Sequence, residues 1–383
     1  MNDFVRKISF YLSFFDICFD DTEGWFPDAY TNTLYKIDLV TNAISVEAAI
    51  PTGNDIKDAQ YGFSAKWKNL LVLAPRSEDK IAIYNIVEKI FRTVPLDIEY
   101  MKGRKIYNLF SGIHIFQDYA YLIPGRFPAI VRLDLHTFEI TYIDSWYKEI
   151  RNRIMEYEEE RVIFARCGCR DENKLLLPCW QGSIVMEFNM ETEKTNLIDL
   201  FFDDVLSEMY VNNQKMFIAS RAHPVIYKCD MDGNMLEQIE LQALGETGIS
   251  FLFTYRGKAI AVPVYGNRVI QYDFSIRECQ GLIELAEEEN ENYYVEKIFP
   301  HVGILSCFPD DNGNLWMYSA FNDTIVKFNM NTGNVEQMQA VLSKKEAKKK
   351  ALFYIEHMKN VCCEEDSLFT ISDFCIYIRE YKE

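Results

Sequence analysis

SGIHIFQDYAYLIPGRFPAIVRLDLHTFEITYIDSW, residues 111–146, divides into four short runs rich in β-branched and aromatic residues. SGIHIFQD (111–118) and YAYLIPG (119–125) meet at a polar turn, AIVRLDL (129–135) follows, and EITYIDSW (139–146) closes the unit. Alternation within each run, and Gly, Pro, Asp or His-Thr between runs, predict four consecutive antiparallel strands, A to D. Asp134 sits at the end of strand C. There its carboxylate can accept hydrogen bonds from backbone amides two residues on and close the C–D hairpin as an Asx turn.

The same strand ending recurs through the chain as YKIDL, AIYNI, VRLDL, MEFNM, YKCDM, IQYDF and VKFNM. Its markers are Asp38, Asn85, Asp134, Asn189, Asp230, Asp273 and Asn329, each flanked by apolar residues and spaced 41 to 56 residues apart. A second column, Pro27, Pro75, Pro124, Pro178, Ala219, Pro263 and Ser319, lies 10 or 11 residues upstream of each marker. Proline has no N–H to give a ladder, so this column marks strand ends. A four-stranded unit of about 45 residues repeated in this way is the signature of a β-propeller. The expected fold class is all-β, a seven-bladed β-propeller of four-stranded antiparallel blades over residues 1–342. A different reading of one end strand would give six or eight blades.

The unit DNGNLWMYSAFNDTIVKFNMNTGNVEQM (311–338) resembles the repeat of streptogramin-lyase-like and two-component-regulator propellers, and Gly24-Trp25 echoes its Gly-Asn-Leu-Trp opening. The resemblance implies the propeller fold across residues 10–341. Its lyase members imply a His working with a Mg²⁺-binding carboxylate, and no second His or matching motif lies near His223.

Outside the repeats, residues 343–360 have helical periodicity, and Thr370–Glu380 starts with a capping-box pattern. Residues 343–383 are therefore expected to form a two-helix appendage packed on the propeller. Residues 146–160 read as a helical insert, and residues 96–105 and 286–297 as further inserts, each joining strand D of one blade to strand A of the next.

Lys and Arg number 40 against 58 Asp and Glu, a formal charge of −18. That surplus argues against nucleic acid or an anionic membrane as partner. No secretory leader is read in residues 1–20, and no window reaches the roughly 18 apolar residues of a membrane span. A soluble, cytoplasmic, monomeric protein is the expectation. Cys229, Cys279, Cys307 and Cys375 lie in apolar runs and read as buried free thiols. Cys167, Cys169 and Cys179 lack a fourth ligand, so no metal is assigned. The acidic stretches at Asp230–Gly233 and Asp310–Gly313 read as hairpin turns rather than calcium loops. No phosphate-binding or hydrolase motif is present, and no cofactor is expected.

The residue eight or nine positions before each marker opens the B–C loop: Tyr30, Arg76, Arg126, Trp180, Arg221, Tyr265 and Phe321. All are Arg or aromatic. His223 and Asn267 stand two residues beyond Arg221 and Tyr265. Converging loops would make an Arg/aromatic pocket for an anionic, aromatic or sugar ligand, or for a peptide or protein, because Arg forks carboxylate or phosphate and rings stack on planar groups. The same column equally fits packing material that seals neighbouring blades. The functional expectation is a binding or scaffold propeller. The alternative is a lyase or hydrolase acting on an anionic or glycosylated small molecule, with His223 or Tyr265 moving a proton.

Overall fold

A computed structural model describes residues 12, 14–20, 22–29, 31–52, 60–102, 106–153, 162–164, 168–285, 303–310, 312–319 and 324–361. Seven four-stranded sheets follow one another along the chain, each built from four consecutive strands paired in sequence order. Blade 1 runs from β1 (Cys18–Phe19) to β4 (Ile44–Ala49), and blade 2 from β5 (Tyr61–Trp67) to β8 (Ile90–Pro95). Blade 3 runs from β9 (Phe110–Phe116) to β12 (Ile140–Ile143), and blade 4 from β13 (Cys169–Asp171) to β16 (Thr195–Asp199). Blade 5 spans β17 (Leu206–Asn212) to β20 (Met235–Glu240), and blade 6 spans β21 (Ile249–Tyr255) to β24 (Glu278–Glu284). Blade 7 spans β25 (Ile304–Pro309) to β28 (Val335–Gln339). The fold class is that of a seven-bladed β-propeller.

The chain falls into two compact units, one of residues up to 97 with 310 onward, the other of residues 98–287 with 301–309. Within the second unit the blades pack sheet on sheet. Tyr121, Ile123 and Ile130 of blade 3 meet Leu175, Leu177, Met186 and Phe188 of blade 4, all buried. Blades 4 and 5 share Val185, Ile198, Met209 and Ile218, and blades 5 and 6 share Phe217, Ile226, Leu252 and Ile270. Each fully buried side chain of this size contributes about 1.5–3 kcal/mol. Burial on both faces of the inner strands is why their sequences read as nearly continuous apolar runs.

In the first unit the N-terminal segment bridges blades 7 and 1. Leu12 donates its N–H to the Ala340 carbonyl at 3.2 Å, and the Tyr318 hydroxyl donates to the Leu12 carbonyl at 2.8 Å. The Phe14 ring lies 4.5 Å from Phe26 and 5.1 Å from Tyr318.

All seven markers build the expected turn. Oδ1 of Asp38, Asn85, Asp134, Asn189 and Asn329 accepts the amides two and three residues on, at 2.8–3.1 Å. Asp230 accepts those of Asp232 and Asn234, and Asp273 accepts the Ser275 amide and hydroxyl. A left-handed residue follows in every case: Asn42, Lys89, Phe138, Glu193, Gly233, Arg277 and Gly333. Strand B ends on Pro27, Pro75, Pro124, Pro178 and Pro263 in five blades. Opposite Pro75, Pro124 and Pro263 strand A slips register by a bulge, and blade 5, with Ala219 in that column, slips at the same place.

A second periodicity emerges only from the register. Trp25 faces Lys36, Tyr121 faces Arg132, Phe217 faces Lys228 and Trp316 faces Lys327 across strands B and C of blades 1, 3, 5 and 7. Blades 2, 4 and 6 place Val72 with Ile83, Leu176 with Glu187 and Ile260 with Gln271 there. The lysines of blades 1, 5 and 7 stand 5.3–5.9 Å over their facing rings. The ammonium thus lies between an aromatic face and the carboxylate of Glu23, Glu237 or Glu336.

α1 spans Tyr147–Arg153, the described part of the 146–160 insert, and turns Ile150 onto the blade 3–4 core. α2 spans Lys344–Val361, and the Ser343 hydroxyl caps it by accepting the Glu346 amide. The second tail helix, expected at Thr370–Glu380, and the 286–297 insert lie outside the described residues. No described helix is long and apolar enough to cross a membrane.

Candidate functional site

The B–C junctions are anchored through their backbones before any side chain is considered. An amide one or two residues after strand B donates to a carbonyl on the approach to strand A of the same blade: Arg126 to Asn108 at 2.9 Å, Trp180 to Ile163, six residues ahead of strand A, at 2.8 Å, and Arg221 to Val205 at 2.7 Å. Arg76 does the same to Gln60 at 2.8 Å in the first unit. Two glycines permit close approach here. A Cβ on Gly125 would stand 2.3 Å from the Asn108 carbonyl oxygen, and one on Gly248 would stand 1.8 Å from that of Arg221.

This anchoring aims the side chains. The Arg221 guanidinium lies 4.7 Å over the Trp180 ring, so two of the expected site residues, from blades 5 and 4, touch. Arg126 lies 4.8 Å over Tyr107, and Arg76 lies 4.0 Å over Phe15. Each arginine thus has an aromatic plate beneath one face of its guanidinium. Among the described residues Arg126 has no ion pair, and its buried Nε has no hydrogen-bond partner.

The remaining expected residues divide by role. The Asn267 amide donates to the Leu285 carbonyl, tying its loop to the end of strand D. His223 is exposed; its amide donates to Ser220 Oγ at 2.9 Å, and among the described residues its ring has no partner. Tyr265 is exposed, and its amide donates to Thr247 Oγ1 at 3.0 Å. Tyr30 and Phe321 lie outside the described residues. Tyr107 and Phe15, the plates under Arg126 and Arg76, were not singled out by sequence. Each stands three residues before a strand A, Tyr107 before that of its own blade and Phe15 before that of blade 1, and aromatic residues at that offset were the available signal.

The lyase-like motif of blade 7 is engaged in building a turn. The Asp310 carboxylate accepts Trp316 Nε1 and Asn314 Nδ2, both at 2.9 Å, along with the Asn312 and Asn314 amides. Asp230 holds Asn234 in the same way, so both acidic stretches are hairpin turns. Burial pushes the Cys169 and Cys229 thiols up to about 11, and raises that of Cys179 as well, which keeps them protonated and poor as ligands or nucleophiles. Cys229 and Cys307 are buried free thiols and Cys279 is half-buried, whereas Cys167 and Cys375 lie outside the described residues. Among the described residues no cluster of His, Cys, Asp and Glu could hold a metal.

No protein-family model matches the sequence, and no curated protein matches it significantly. Solved structures do match its fold. YCF48 bound to D1 peptide superposes with a TM-score of 0.57 at 12% identity, covering 86% of this chain and 93% of that one. Virginiamycin B lyase from Staphylococcus aureus, a catalytically inactive form with quinupristin, gives 0.52 at 11% identity, covering 73% and 84%. The extracellular domain of the two component system BT4673 from B. thetaiotaomicron gives 0.54 at 13% identity, covering 81% and 37%. These likenesses agree with the resemblance read in residues 311–338, and at such identities they show the fold alone.

Proposed function

We propose that the protein is a binding module and that the B–C junctions of blades 3 to 5 take an anionic group, a carboxylate or phosphate, on Arg126 and Arg221. The observation that carries this reading is the state of those two side chains. Each guanidinium lies over a ring, 4.7–4.8 Å from its centroid, and is fixed at its backbone, so little rotamer freedom is left to lose on binding. Arg126 has in addition a buried donor with no partner among the described residues, which an incoming oxygen would satisfy. In a chain of net charge −18, such arginines are local positive sites that concentrate an anion. Trp180, stacked under Arg221, extends the surface for an aromatic or sugar portion of the ligand. YCF48, a fold neighbour solved with a bound peptide, supports including peptides with free carboxylates among the probes.

The test is a thermal-shift screen of polycarboxylates, sugar phosphates and short acidic peptides. A ligand at 100 times its dissociation constant adds about 2.7 kcal/mol of stability. The reading expects a hit whose shift disappears in both Arg126→Ala and Arg221→Ala. A hit indifferent to both changes overturns it.

A further inference from the structure

Among the described residues two aromatic side chains are exposed, Phe201 at 73% and Tyr265 at 56%. Phe201 lies in the connection from strand D of blade 4 to strand A of blade 5, and Tyr265 in the B–C loop of blade 6. Strands alternate in direction, so D–A and B–C connections leave their sheets on the same face. Both are tied to the junction that carries Arg221. The Leu200 amide donates to the Ser183 carbonyl at 2.8 Å and the Arg221 amide to the Val205 carbonyl at 2.7 Å, which strings residues 200–205 between the B–C loop of blade 4 and Arg221. On the other side the Val264 amide donates to the Gly248 carbonyl at 2.9 Å, and Gly248 lies against the Arg221 carbonyl. Arg221, half-buried, thus stands between a loop bearing Phe201 and a loop bearing Tyr265.

The exposure is built into both loops. Leu200 is buried, and Phe202 stacks at 3.9 Å on Tyr227, whose hydroxyl donates to Asp204 at 2.8 Å. With both neighbours turned inward and the loop pinned, the Phe201 ring faces solvent. Val264 is buried, the Tyr265 amide is held by Thr247 Oγ1, and Gly266 at φ 103° turns the chain away. Rings presented on fixed loops cost little ordering on association and are the side chains from which interface hot spots are made.

Charge narrows the occupant. Asp203, exposed beside Phe201, and Glu246, exposed beside Thr247, set carboxylates at the outer edges of the patch, with the Arg221 guanidinium between them. An acidic tract would meet like charge at both edges, whereas one carboxylate flanked by apolar side chains meets a cation and two rings. We propose that blades 4 to 6 hold a polypeptide segment through one Asp or Glu side chain on Arg221 and apolar side chains on Phe201 and Tyr265. This rests on the anion reading above and adds the class of partner.

A random phage-displayed library of peptides of about nine residues, roughly 30 Å when extended, is selected on the full chain. The expected consensus is a single Asp or Glu with aliphatic or aromatic residues on both sides. Synthetic peptides of that consensus are expected to bind at least about tenfold more weakly to Phe201→Ser with Tyr265→Ser. The thermal shift given by a small carboxylate or phosphate is expected to persist in that double variant, and Arg221→Ala is expected to lose both. No consensus, a polyacidic consensus, or peptides that bind either variant as tightly as the parent overturns the proposal, and an Arg221-dependent small-anion shift then leaves the anion reading standing. Small-anion shifts indifferent to Arg126→Ala and Arg221→Ala overturn that reading and the proposal with it. A concentration-dependent dimer in sedimentation velocity that the double variant abolishes assigns the rings to a second copy and also overturns the proposal.

Discussion

Gly248 lies so close to Arg221 that a Cβ on the glycine would stand 1.8 Å from the arginine's carbonyl oxygen. That approach brings the start of blade 6 onto the B–C junction of blade 5, beside the guanidinium stacked on Trp180. The glycine therefore sets where a candidate binding arginine stands, although it bears no functional group.

Gly248→Ala forces backbone away from backbone, and no flexible side chain is available to yield. It is expected to lower the unfolding free energy by about 3 kcal/mol in urea titration, and to shift the emission of Trp180 as the Arg221 stack moves.

Arg221→Lys keeps the charge and loses the planar guanidinium that lies over Trp180. If the junction binds through a planar fork, a carboxylate or phosphate hit from the screen weakens at least about tenfold in this variant. Isothermal titration against the parent reads the change directly, and equal affinity would show that charge alone suffices.

Lys350 of α2 reaches Asp28 at 2.9 Å, with both side chains buried. Lys350→Met leaves Asp28 buried with its charge uncompensated, although Tyr35 and Thr31 still donate to it. A loss of about 3–5 kcal/mol is expected in chemical denaturation. Lys350→Met with Asp28→Asn is expected to recover a large part of that loss, and a double-mutant cycle measures the coupling.

The turn-closing aspartates set the acid limb. Hydrogen bonds from Ser275 hold Asp273 down at about 2, and those of their own turns lower Asp38, Asp134 and Asp230. A carboxylate lowered in the folded state adds stability that is complete above its unfolded value and lost as pH falls through the folded one. Stability is thus expected to be flat above about pH 4.5 on this account and to decline from about pH 4 toward pH 2. Asp273→Asn should shift that decline, and carbon-detected NMR titration of the four carboxyls checks their midpoints.

How far the sequence could be read follows from how local each interaction is. The seven Asx turns join atoms two to four residues apart, so YKIDL and its six relatives carried all the information needed for them. The proline column was equally legible, since a missing N–H acts wherever the chain goes. The aromatic and cation pairs of alternate blades escaped notice because they depend on which residue of strand B faces which of strand C, a matter of register.

The B–C column shows the same division. Its composition of Arg and aromatic residues was visible along the chain, but their engagement was not. Arg221 sits on Trp180 across 41 residues of sequence, while Asn267 is spent on the Leu285 carbonyl. α2 was foreseeable as a helix from its periodicity. Its grip on Val46 through Glu346 and on Asp28 through Lys350 spans about 300 residues and was not.

The chain's own order of residues therefore determined the repeat, the strand ends, the turns and the blade count, because those rest on backbone chemistry within a few residues. Tertiary structure decided which guanidinium meets which ring, which polar side chains are used up in holding loops, and which rings are left on the surface. Those outcomes depend on surfaces that come together only when sheets pack, and spacing along one blade carries no record of its neighbour.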